Sequence, residues 1–368
     1  MCRILVFGMT ENPGGVESFL ITYYRNIDRS IIQFDFLCNF YEPAAYEDEL
    51  ISLGANVYHI VSRKENRKRF RKELDELFMK HSCEWDAIWV NVCILANIDY
   101  LKTAKKYGIS KRIIHSHNSQ NMDGTLRGIL HLCNKQLIHK YATDFWACSI
   151  PAAKWFYKKE LMDKVEIIHN AIDAEKMRFD PEKRNELRKK YHWENKNIIG
   201  NIGRLHFQKN QEFVIRVFNQ YHYSHPDSLL VLVGQGEDEP KLKKAVQKYC
   251  LEDFVYFAGV QKDIQAWLSC FDLFLFPSRF EGLGIAILEA EANGLPVIAS
   301  ASVIPDEVKI NSNYTSISLD SDLSVWCETI EKMAQVGRID NETAKKSISE
   351  KGYDIETETA KLERLLAE

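Results

Sequence analysis

The stretch Phe274-Leu-Phe-Pro-Ser-Arg-Phe-Glu-Gly-Leu-Gly-Ile-Ala-Ile-Leu-Glu-Ala-Glu-Ala-Asn-Gly-Leu-Pro-Val-Ile-Ala-Ser300 decides the fold. An apolar strand is followed by a glycine-containing loop, a helix, a glycine turn and a second apolar strand. Short continuous apolar runs that alternate with helices are typical of a parallel β-sheet covered by helices on both faces. The stretch therefore predicts an α/β fold.

The same alternation of strand and helix occurs in two series along the chain. Strands are predicted at 4–7, 34–37, 87–90 and 112–115, and again at 198–202, 229–233, 255–257, 273–276 and 296–299. A length of 368 residues is about twice that of a usual domain, so two Rossmann-like domains facing each other across a cleft are expected. The predicted parts are an N-terminal domain, a C-terminal domain and a final helix that returns to the N-terminal domain, with bounds 1–175, 176–350 and 351–368.

Composition excludes several classes of protein. A net charge of −4 gives no basic surplus for nucleic-acid binding, so no nucleic-acid partner is expected. Nine cysteines lie without CxxC pairs or Cys/His clusters, which argues against a disulfide framework and a zinc site and favours a reducing cytosol. No apolar run reaches the ~18 residues of a membrane span, and the apolar start is too short for a signal peptide. A cytoplasmic protein is expected.

The loop before the central helix carries the first candidate site. Gly282 and Gly284 bracket the helix start, where glycine lets the backbone approach a ligand and free N–H groups attract anions. Glu281 precedes these glycines, and an acid there suits neutral hydroxyls rather than a phosphate. Glu289, about a turn and a half into the helix, can accept hydrogen bonds from a ribose diol.

A second loop, Gly203-Arg-Leu-His-Phe-Gln-Lys209, lies between a predicted strand and a predicted helix. Arg204 can clamp a diphosphate with two parallel hydrogen bonds, and Lys209 can act on it as a point charge. Together they would stabilise a departing nucleoside diphosphate without a metal ion.

With these residues the chain resembles family 4 of the glycosyltransferases. The resemblance rests on EGLGIAILEA around Glu281 and Glu289, the GR-x4-K pattern at Gly203–Lys209, VGQGEDEPKL, HNAID and PGGVE, in the family's order. HSHN and GYD make it most similar to bacterial capsule and exopolysaccharide transferases. The resemblance implies the GT-B fold, a retaining mechanism and no metal.

The family pattern also implies roles for individual residues. Arg204 and Lys209 would hold the donor diphosphate, Glu289 the ribose, and Glu281 the donor sugar. Further donor-binding residues would be Gly14, Gly15, Gly203, Gly282, Leu283 and Gly284. Additional candidates are His115, Asn170, Gly234 and Ser278.

Two histidines end a predicted strand in the N-terminal half. Alternation along a strand puts His115 and His117 on the same side, so the pattern alone does not separate them. The resemblance favours His117 as the residue that contacts the transferred sugar or assists at the acceptor. A His-x-His pair can also bind metal, but no third ligand lies at a recognisable spacing.

The expected activity is transfer of a hexose or N-acetylhexosamine from a nucleotide sugar, UDP-linked, to a polyprenyl-diphosphate-linked glycan. The donor is a co-substrate, and no cofactor is expected. Two alternatives remain open: a nucleotide-sugar epimerase of the same two-domain fold, and a non-catalytic transferase-like partner subunit. Conversion of a nucleotide sugar without acceptor would identify the first, and normal synthesis with Lys209→Ala the second.

A basic segment runs from Arg63 to Lys80, with eight basic residues against four acidic ones. Phe70, Leu74 and Phe78 fall at helical spacing within it. One interpretation is an amphipathic helix lying on an anionic membrane, at the inner face of the plasma membrane and near a lipid-linked acceptor. The alternative is a surface helix with its charged face in solvent.

Overall fold

The computed structural model describes residues 1–118, 124–281 and 283–367. They divide into two compact units, one made of Met1–Ala171 with the C-terminal segment from Ile355, and the other of Ile172–Asp354. In these parts of the chain, no helix is both long enough and apolar enough to cross a membrane.

The first unit is built on a seven-stranded parallel sheet with the order β3-β2-β1-β4-β5-β6-β7. Its strands are β1 (Cys2–Phe7), β2 (Ile32–Cys38), β3 (Val57–His59), β4 (Ala87–Val92), β5 (Lys111–Ser116), β6 (Asp144–Ala147) and β7 (Val165–Ile167). Its helices up to the boundary are α1 (Gly15–Asn26), α2 (Glu47–Ser52), α3 (Arg67–His81), α4 (Asp99–Lys106), α5 (Thr125–Leu137) and α6 (Ile150–Phe156), with short 3-10 turns at Ser82–Glu84, Ile138–Lys140 and Lys159–Lys164.

The second unit contains a six-stranded parallel sheet with the order β10-β9-β8-β11-β12-β13. Its strands are β8 (Asn197–Ile202), β9 (Ser228–Val233), β10 (Val255–Gly259), β11 (Leu273–Phe276), β12 (Val297–Ser300) and β13 (Tyr314–Ile317). Its helices are α7 (Ala174–Met177), α8 (Pro181–Tyr191), α9 (Gln211–Ser224), α10 (Glu239–Lys248), α11 (Ile264–Cys270), α12 (Ile285–Ala292), α13 (Leu323–Val336) and α14 (Asn341–Glu350), with a 3-10 turn at Asp306–Val308.

Both sheets are covered on both faces, as the apolar runs predict. Along β1, Ile4 and Val6 belong to one hydrophobic cluster, whereas Leu5 and Phe7 belong to another. Successive side chains of a strand point to opposite faces, so a strand that is apolar at every position needs a core on each side. The predicted α/β class with two parallel sheets is confirmed.

The last helix, α15 (Ile355–Ala367), packs in the first unit, which confirms the predicted return of the C-terminal helix. Leu362 and Leu366 are buried in the same cluster as β1. Glu358 accepts a hydrogen bond from the backbone N–H of His169 at 3.1 Å. The end of the chain thereby ties down the segment that follows β7.

The basic segment that starts at Arg63 forms helix α3, but its apolar side chains face the core. Phe70 and Phe78 are fully buried, and Leu74 is nearly so, in the second cluster of the first unit. An apolar face already packed in the core is not available to insert into a bilayer. Of the two interpretations, the surface helix with its charged face in solvent describes α3.

A prediction follows from Gly200, in the middle of β8. A Cβ at this position would lie 2.0 Å from Cδ2 of the buried Phe271 ring. Gly200→Ala should therefore lower the free energy of unfolding by roughly 1–3 kcal/mol, because a packed ring has to move. Urea denaturation followed by circular dichroism measures this.

The matched control is Gly124→Ala, because a Cβ there meets no atom within 4 Å. We expect it to leave the unfolding midpoint nearly unchanged. If Gly200→Ala were as stable as this control, the close packing of Phe271 against β8 would be wrong.

Candidate functional site

Three strand-to-helix loops of the second unit meet at one edge of its sheet. They follow β8, β9 and β11, which are neighbours in the order β9-β8-β11. Because all three strands are parallel, their carboxyl ends lie on the same side, where open α/β sheets bind ligands. The candidate residues after β8 and β11 are therefore brought together although they are about 70 residues apart in sequence.

Glycines allow the loops after β8 and β9 to touch. A Cβ on Gly234 would lie 2.1 Å from the carbonyl oxygen of Gly203, and one on Gly236 would lie 2.2 Å from that of Leu205. Gly203 and Gly234 both have positive φ, at 156° and 130°. Backbone hydrogen bonds join the two loops, and one of them runs from the N–H of Leu205 to the carbonyl oxygen of Gln235 at 3.0 Å. Of the predicted glycines, Gly203 and Gly234 thus shape the loops through their backbone.

Lys209 and Glu281 form an ion pair across the loops after β8 and β11. The ammonium of Lys209 lies 2.7 Å from Oε1 of Glu281, and the two side chains are 19% and 6% exposed. The same ammonium lies 4.7 Å from the centre of the Phe276 ring. The two residues that the family pattern assigns to phosphate and sugar therefore contact each other directly.

Arg204 lies on the outer side of the same loop. Its guanidinium pairs with Glu237 at 3.0 Å, and the two side chains are 69% and 51% exposed. His206 lies 3.4 Å from the same carboxylate. The pKa of Glu237 lies below its ordinary value, mainly because its own backbone N–H donates to the carboxylate and also because Arg204 and His206 lie nearby. Glu237 is thus an exposed residue whose partner is Arg204.

Helix α12 begins directly after the Glu281 loop. Gly284 is its N-cap with a φ of 83°, and no side chain caps the helix, so the first-turn N–H groups are not satisfied by a cap. Leu283 is buried beside it. Gly282 was predicted here and lies outside the described residues. The first turn of α12 can therefore offer backbone donors to an anion.

Glu289 lies inside α12 and takes no part in the hydrogen bonds that join the three loops. Burial raises the pKa of its carboxyl to about 7. Glu289 is thus a carboxyl that changes charge near neutral pH.

Ser278, another candidate, is fully buried, and its hydroxyl has no hydrogen-bond partner among the described residues. Its backbone carbonyl accepts a hydrogen bond from the hydroxyl of Ser300 at 2.6 Å.

Two exposed aromatic residues that the sequence did not single out flank the ion pair. Phe207 and Phe280 are 56% and 37% exposed, and their ring centres lie 5.7 Å apart. Gln208 links the same two loops, because its side-chain amide donates to the carbonyl of Phe280 at 3.0 Å. In the sequence, Phe207 lies two residues before Lys209, and Phe280 directly precedes Glu281. This closeness to the charged candidates is the signal by which they could have been found, but a single Phe in a loop does not by itself indicate a binding site.

The candidates of the first unit surround the start of α1. Gly14 is the N-cap of α1, and a Cβ on it would lie 2.7 Å from the carboxylate of Glu17. Glu17 is buried and accepts a hydrogen bond from the hydroxyl of Thr10 at 2.6 Å. A Cβ on Gly15 would meet no atom within 4 Å. Gly15 therefore has open space in front of it, whereas a Cβ on Gly14 would require the Glu17 carboxylate to shift.

The two histidines at the end of β5 differ in their surroundings. Their ring centres lie 4.1 Å apart, and both rings pack edge-on against Phe19 of α1. His115 is fully buried, and neither ring nitrogen has a partner among the described residues. His117 is partly exposed, and its Nε2 lies 2.9 Å from Oδ1 of Asn91. Only His117 has both an oriented ring and access to solvent.

Burial also controls the charge of these rings. Desolvation places the pKa of His115 well below its ordinary value and lowers that of His117 to about 3. Both rings are therefore neutral at physiological pH. With the Asn91 carbonyl accepting from Nε2–H, Nδ1 of His117 is left as an acceptor.

Asn170 and its neighbour His169 lie after the last strand of the first sheet. Asn170 follows β7 in the first unit, and its Oδ1 is buried without a partner among the described residues. His169 accepts a hydrogen bond at its carbonyl from Tyr23 at 2.7 Å, which agrees with a structural role. Within the described ranges, no group of three or more His, Cys, Asp or Glu residues is placed to hold a metal ion.

A prediction concerns the buried ion pair. Lys209→Met should lower the free energy of unfolding by about 1–3 kcal/mol, because it leaves the Glu281 carboxylate without its cation at a site with little solvent. Adding Glu281→Gln should recover most of the loss. Urea denaturation of the two single variants and the double variant completes the cycle.

The exposed pair provides the control. Arg204→Met should change the stability by no more than about 0.5 kcal/mol, because exposed ion pairs contribute little. Equal losses for Lys209→Met and Arg204→Met would contradict the difference in burial on which the prediction rests.

The chain is similar to known glycosyltransferases in sequence. Residues 183–333, which contain all three loops, match the family model "Glycosyl transferases group 1". The chain is 29% identical to the Bacillus subtilis (strain 168) protein named glycosyltransferase EpsF over 360 residues, covering 96% of this chain and 93% of that one. It is 34% identical over 143 residues to an Escherichia coli UDP-Gal:alpha-D-GlcNAc-diphosphoundecaprenol alpha-1,3-galactosyltransferase, covering 37% of this chain and 36% of that enzyme.

A solved structure extends the similarity to the whole fold. The crystal structure of Anabaena HepE in complex with UDP matches with a TM-score of 0.78 at 18% identity, and the match covers 100% of both chains.

Proposed function

We propose that this chain, a group 1 glycosyltransferase of the GT-B fold related to bacterial polysaccharide-synthesis enzymes, moves a hexose or N-acetylhexosamine from a UDP-sugar. The acceptor is a lipid-linked oligosaccharide in the synthesis of a capsule or exopolysaccharide. The observation that carries the proposal is the group of Arg204, Lys209 and Glu281 on adjoining loops at the carboxyl edge of one sheet.

The positive charges suit a diphosphate leaving group. Lys209 is 19% exposed, so its charge is less screened than a surface charge would be. Arg204 is exposed, and it can exchange Glu237 for a phosphate at small cost because an exposed ion pair is weak. As the bond to the sugar breaks, charge grows on the leaving diphosphate, and both cations then bind it more strongly than in the ground state. This stabilisation needs no metal ion.

Glu281 has a second role in the proposal. A carboxylate this close to Lys209 competes with any other anion for the same lysine. The donor diphosphate therefore has to bind Lys209 more strongly than Glu281 does. When the phosphate takes over Lys209, Glu281 becomes free to accept hydrogen bonds from sugar hydroxyls. Neutral hydroxyls are suitable partners because they do not repel the carboxylate.

The proposed reaction retains the anomeric configuration by attack on the front face. The bond between the sugar C1 and the diphosphate oxygen breaks, and the acceptor oxygen bonds to C1 from the same side. The acceptor proton passes to the leaving diphosphate oxygen. In the first unit, His117 is assigned to the acceptor or the transferred sugar as a neutral hydrogen-bonding group, because its ring is neutral at physiological pH.

The UDP preference is supported by two relatives. The Escherichia coli enzyme is named for UDP-Gal and a diphosphoundecaprenol acceptor, and the Anabaena structure holds UDP. A thermal-shift panel of UDP-, GDP-, ADP- and dTDP-sugars tests the proposal. We expect only UDP-sugars to stabilise the chain, and Lys209→Ala to abolish the shift while the exposed Lys244→Ala keeps it. No shift with any of the four donors would contradict the proposed donor site.

A pH dependence of donor binding is predicted from Glu289. Its pKa is raised to about 7, so below that pH the carboxyl is protonated and loses acceptor capacity for the ribose diol. Affinity for UDP-glucose, whose diphosphate does not titrate near neutrality, should rise roughly three- to tenfold between about pH 6 and 8. Isothermal titration calorimetry at both pH values measures the change.

The control for this prediction is Glu289→Gln, which keeps the shape of the side chain and cannot ionise. Its affinity should be lower and the same at both pH values. A pH dependence that persisted in Glu289→Gln would assign the titrating group elsewhere.

The stereochemistry of the product is a separate prediction. With an α-linked donor, the proton NMR spectrum of the first-formed product should show the small anomeric coupling of an α-linkage. A β-linked product would overturn the retaining mechanism and leave the donor site untouched. Conversion of the donor without acceptor would instead identify an epimerase.

A further inference from the structure

Two exposed phenylalanines from different loops lie side by side next to the pair of Lys209 and Glu281. Phe207 follows β8 and Phe280 follows β11, and their ring centres lie 5.7 Å apart. Phe280 directly precedes Glu281 in the sequence. A single exposed apolar side chain needs no explanation, but aromatic rings brought together at the edge of a candidate site indicate a binding surface.

Contacts between the two loops hold these rings in place. The N–H of Arg279 donates to the carbonyl of Gln208 at 2.8 Å, and the side-chain amide of Gln208 donates to the carbonyl of Phe280 at 3.0 Å. The ring of His206 packs edge-on against Phe207, with 4.6 Å between the ring centres. Because the rings are fixed in this way, a ligand that meets them removes little side-chain freedom, and the entropic cost of binding is lowered.

Polar groups with balanced charge lie beside the rings. Phe207 lines a cavity of about 100 Å³ whose charged lining residues are two acids and two bases: Glu212, Asp238, Lys241 and Arg279. Glu212 and Lys241 pair with each other at 2.6 Å. Asp238 precedes α10 without capping it through its side chain, and Arg279 is exposed, so both can still hydrogen bond to a ligand. Because the four charges cancel, the cavity favours neutral hydroxyls over an anion.

We propose that Phe207, Phe280, Asp238 and Arg279, together called the rim surface, bind one pyranose ring of the acceptor glycan. The inference rests on the proposed function, which supplies a glycan as acceptor. The C–H bonds on one face of a sugar ring carry partial positive charge and pack on the negative face of an aromatic ring. The sugar hydroxyls donate to the carboxylate of Asp238 and accept from the guanidinium of Arg279.

Burial and size favour the acceptor over the donor as the occupant. In the proposed function the donor binds at Lys209 and Glu281, whose side chains are only 19% and 6% exposed, whereas Phe207 and Phe280 are 56% and 37% exposed. The cavity of about 100 Å³ is smaller than the ~300–1,000 Å³ of an ordinary ligand pocket. It therefore accommodates the edge of one sugar ring rather than a nucleotide sugar.

A partner protein is the competing occupant of the rim surface. A stable protein interface buries ~800 Å² on each partner around an apolar core from which charged residues are depleted. Two phenylalanine rings bordered by Asp238 and Arg279 offer no such core. A single sugar ring matches both the small apolar area and the polar groups at its border, and this is why it is the occupant we propose.

The proposal is tested by saturation-transfer difference NMR on the full chain without donor, using the methyl glycosides of glucose, galactose, mannose and N-acetylglucosamine. We expect saturation of the ring C–H protons of at least one glycoside. Phe207→Leu/Phe280→Leu keeps apolar side chains but removes the aromatic faces, and it should weaken binding of that glycoside roughly three- to tenfold. Phe207→Tyr/Phe280→Tyr should retain binding. Asp238→Ala/Arg279→Ala should weaken it by a factor similar to that of the leucine variant.

Matched controls come from exposed residues elsewhere in the second unit. Tyr223→Leu removes an aromatic ring that is 93% exposed on α9, and Lys244→Ala/Glu252→Ala removes one exposed base and one exposed acid. Both should bind the glycoside like the unchanged chain. Circular dichroism melts confirm that each variant folds.

Three results would overturn the proposal. The first is no saturation of any of the four glycosides, and the second is equal binding by the leucine variant and the unchanged chain. The third is loss of the UDP-glucose thermal shift in the leucine variant, which would assign the rings to the donor. Because the glycosides are observed without donor, absence of a UDP-sugar shift in the unchanged chain would count against the donor site and not against the rim surface.

Discussion

The close approach of the loops after β8 and β9 is the constraint on which the candidate site depends. No side chain fits at Gly234 or Gly236, because a Cβ at either would overlap a backbone carbonyl of the facing loop. The contact fixes the path of the chain from Gly203 onward. Arg204 and Lys209 therefore extend from a loop whose backbone is fixed by this contact. Charges on a fixed backbone need no reorganisation when a ligand arrives.

Burial gives the two cations of that loop different properties. Lys209 has little access to water, and its pair with Glu281 is short, so its charge has to be matched by a partner at all times. Arg204 lies in solvent, and its pair with Glu237 can be exchanged at small cost. In the proposed donor site, the buried cation is the one that fixes the position of the diphosphate, and the exposed one is the one that can move to it.

Helix α12, which carries Glu289, contains a second carboxyl, that of the buried Glu291. Glu291 accepts hydrogen bonds from the backbone N–H groups of Ile310 and Asn311 at 2.9 and 2.8 Å. Burial raises its pKa to about 8. A buried acid with two backbone donors fixes the C-terminal end of α12, the helix that carries Glu289, against the segment after β12.

Much of the fold could be predicted from the sequence because buried parallel strands are continuously apolar. The runs at 4–7 and 198–202 gave strands close to β1 and β8. Short edge strands such as β3 and β13 were missed, because three or four partly exposed residues do not form a distinctive apolar run. The ion pair of Lys209 and Glu281 could not be predicted either, since it depends on the order of the strands rather than on spacing along the chain.

Helices α3 and α5 show the limit of apolar periodicity as a signal. In α3, Phe70 and Phe78 recur at helical spacing and face the core; in α5, Leu126 and Ile129 recur in the same way and face solvent. Periodicity reveals that a helix has an apolar face, but the direction of that face depends on which contacts are stronger. In α5, the stack of His131 on Trp155 and the two hydrogen bonds to Leu95 decide it. Leaving a Leu or Ile exposed forgoes about 1.5–3 kcal/mol of burial per side chain.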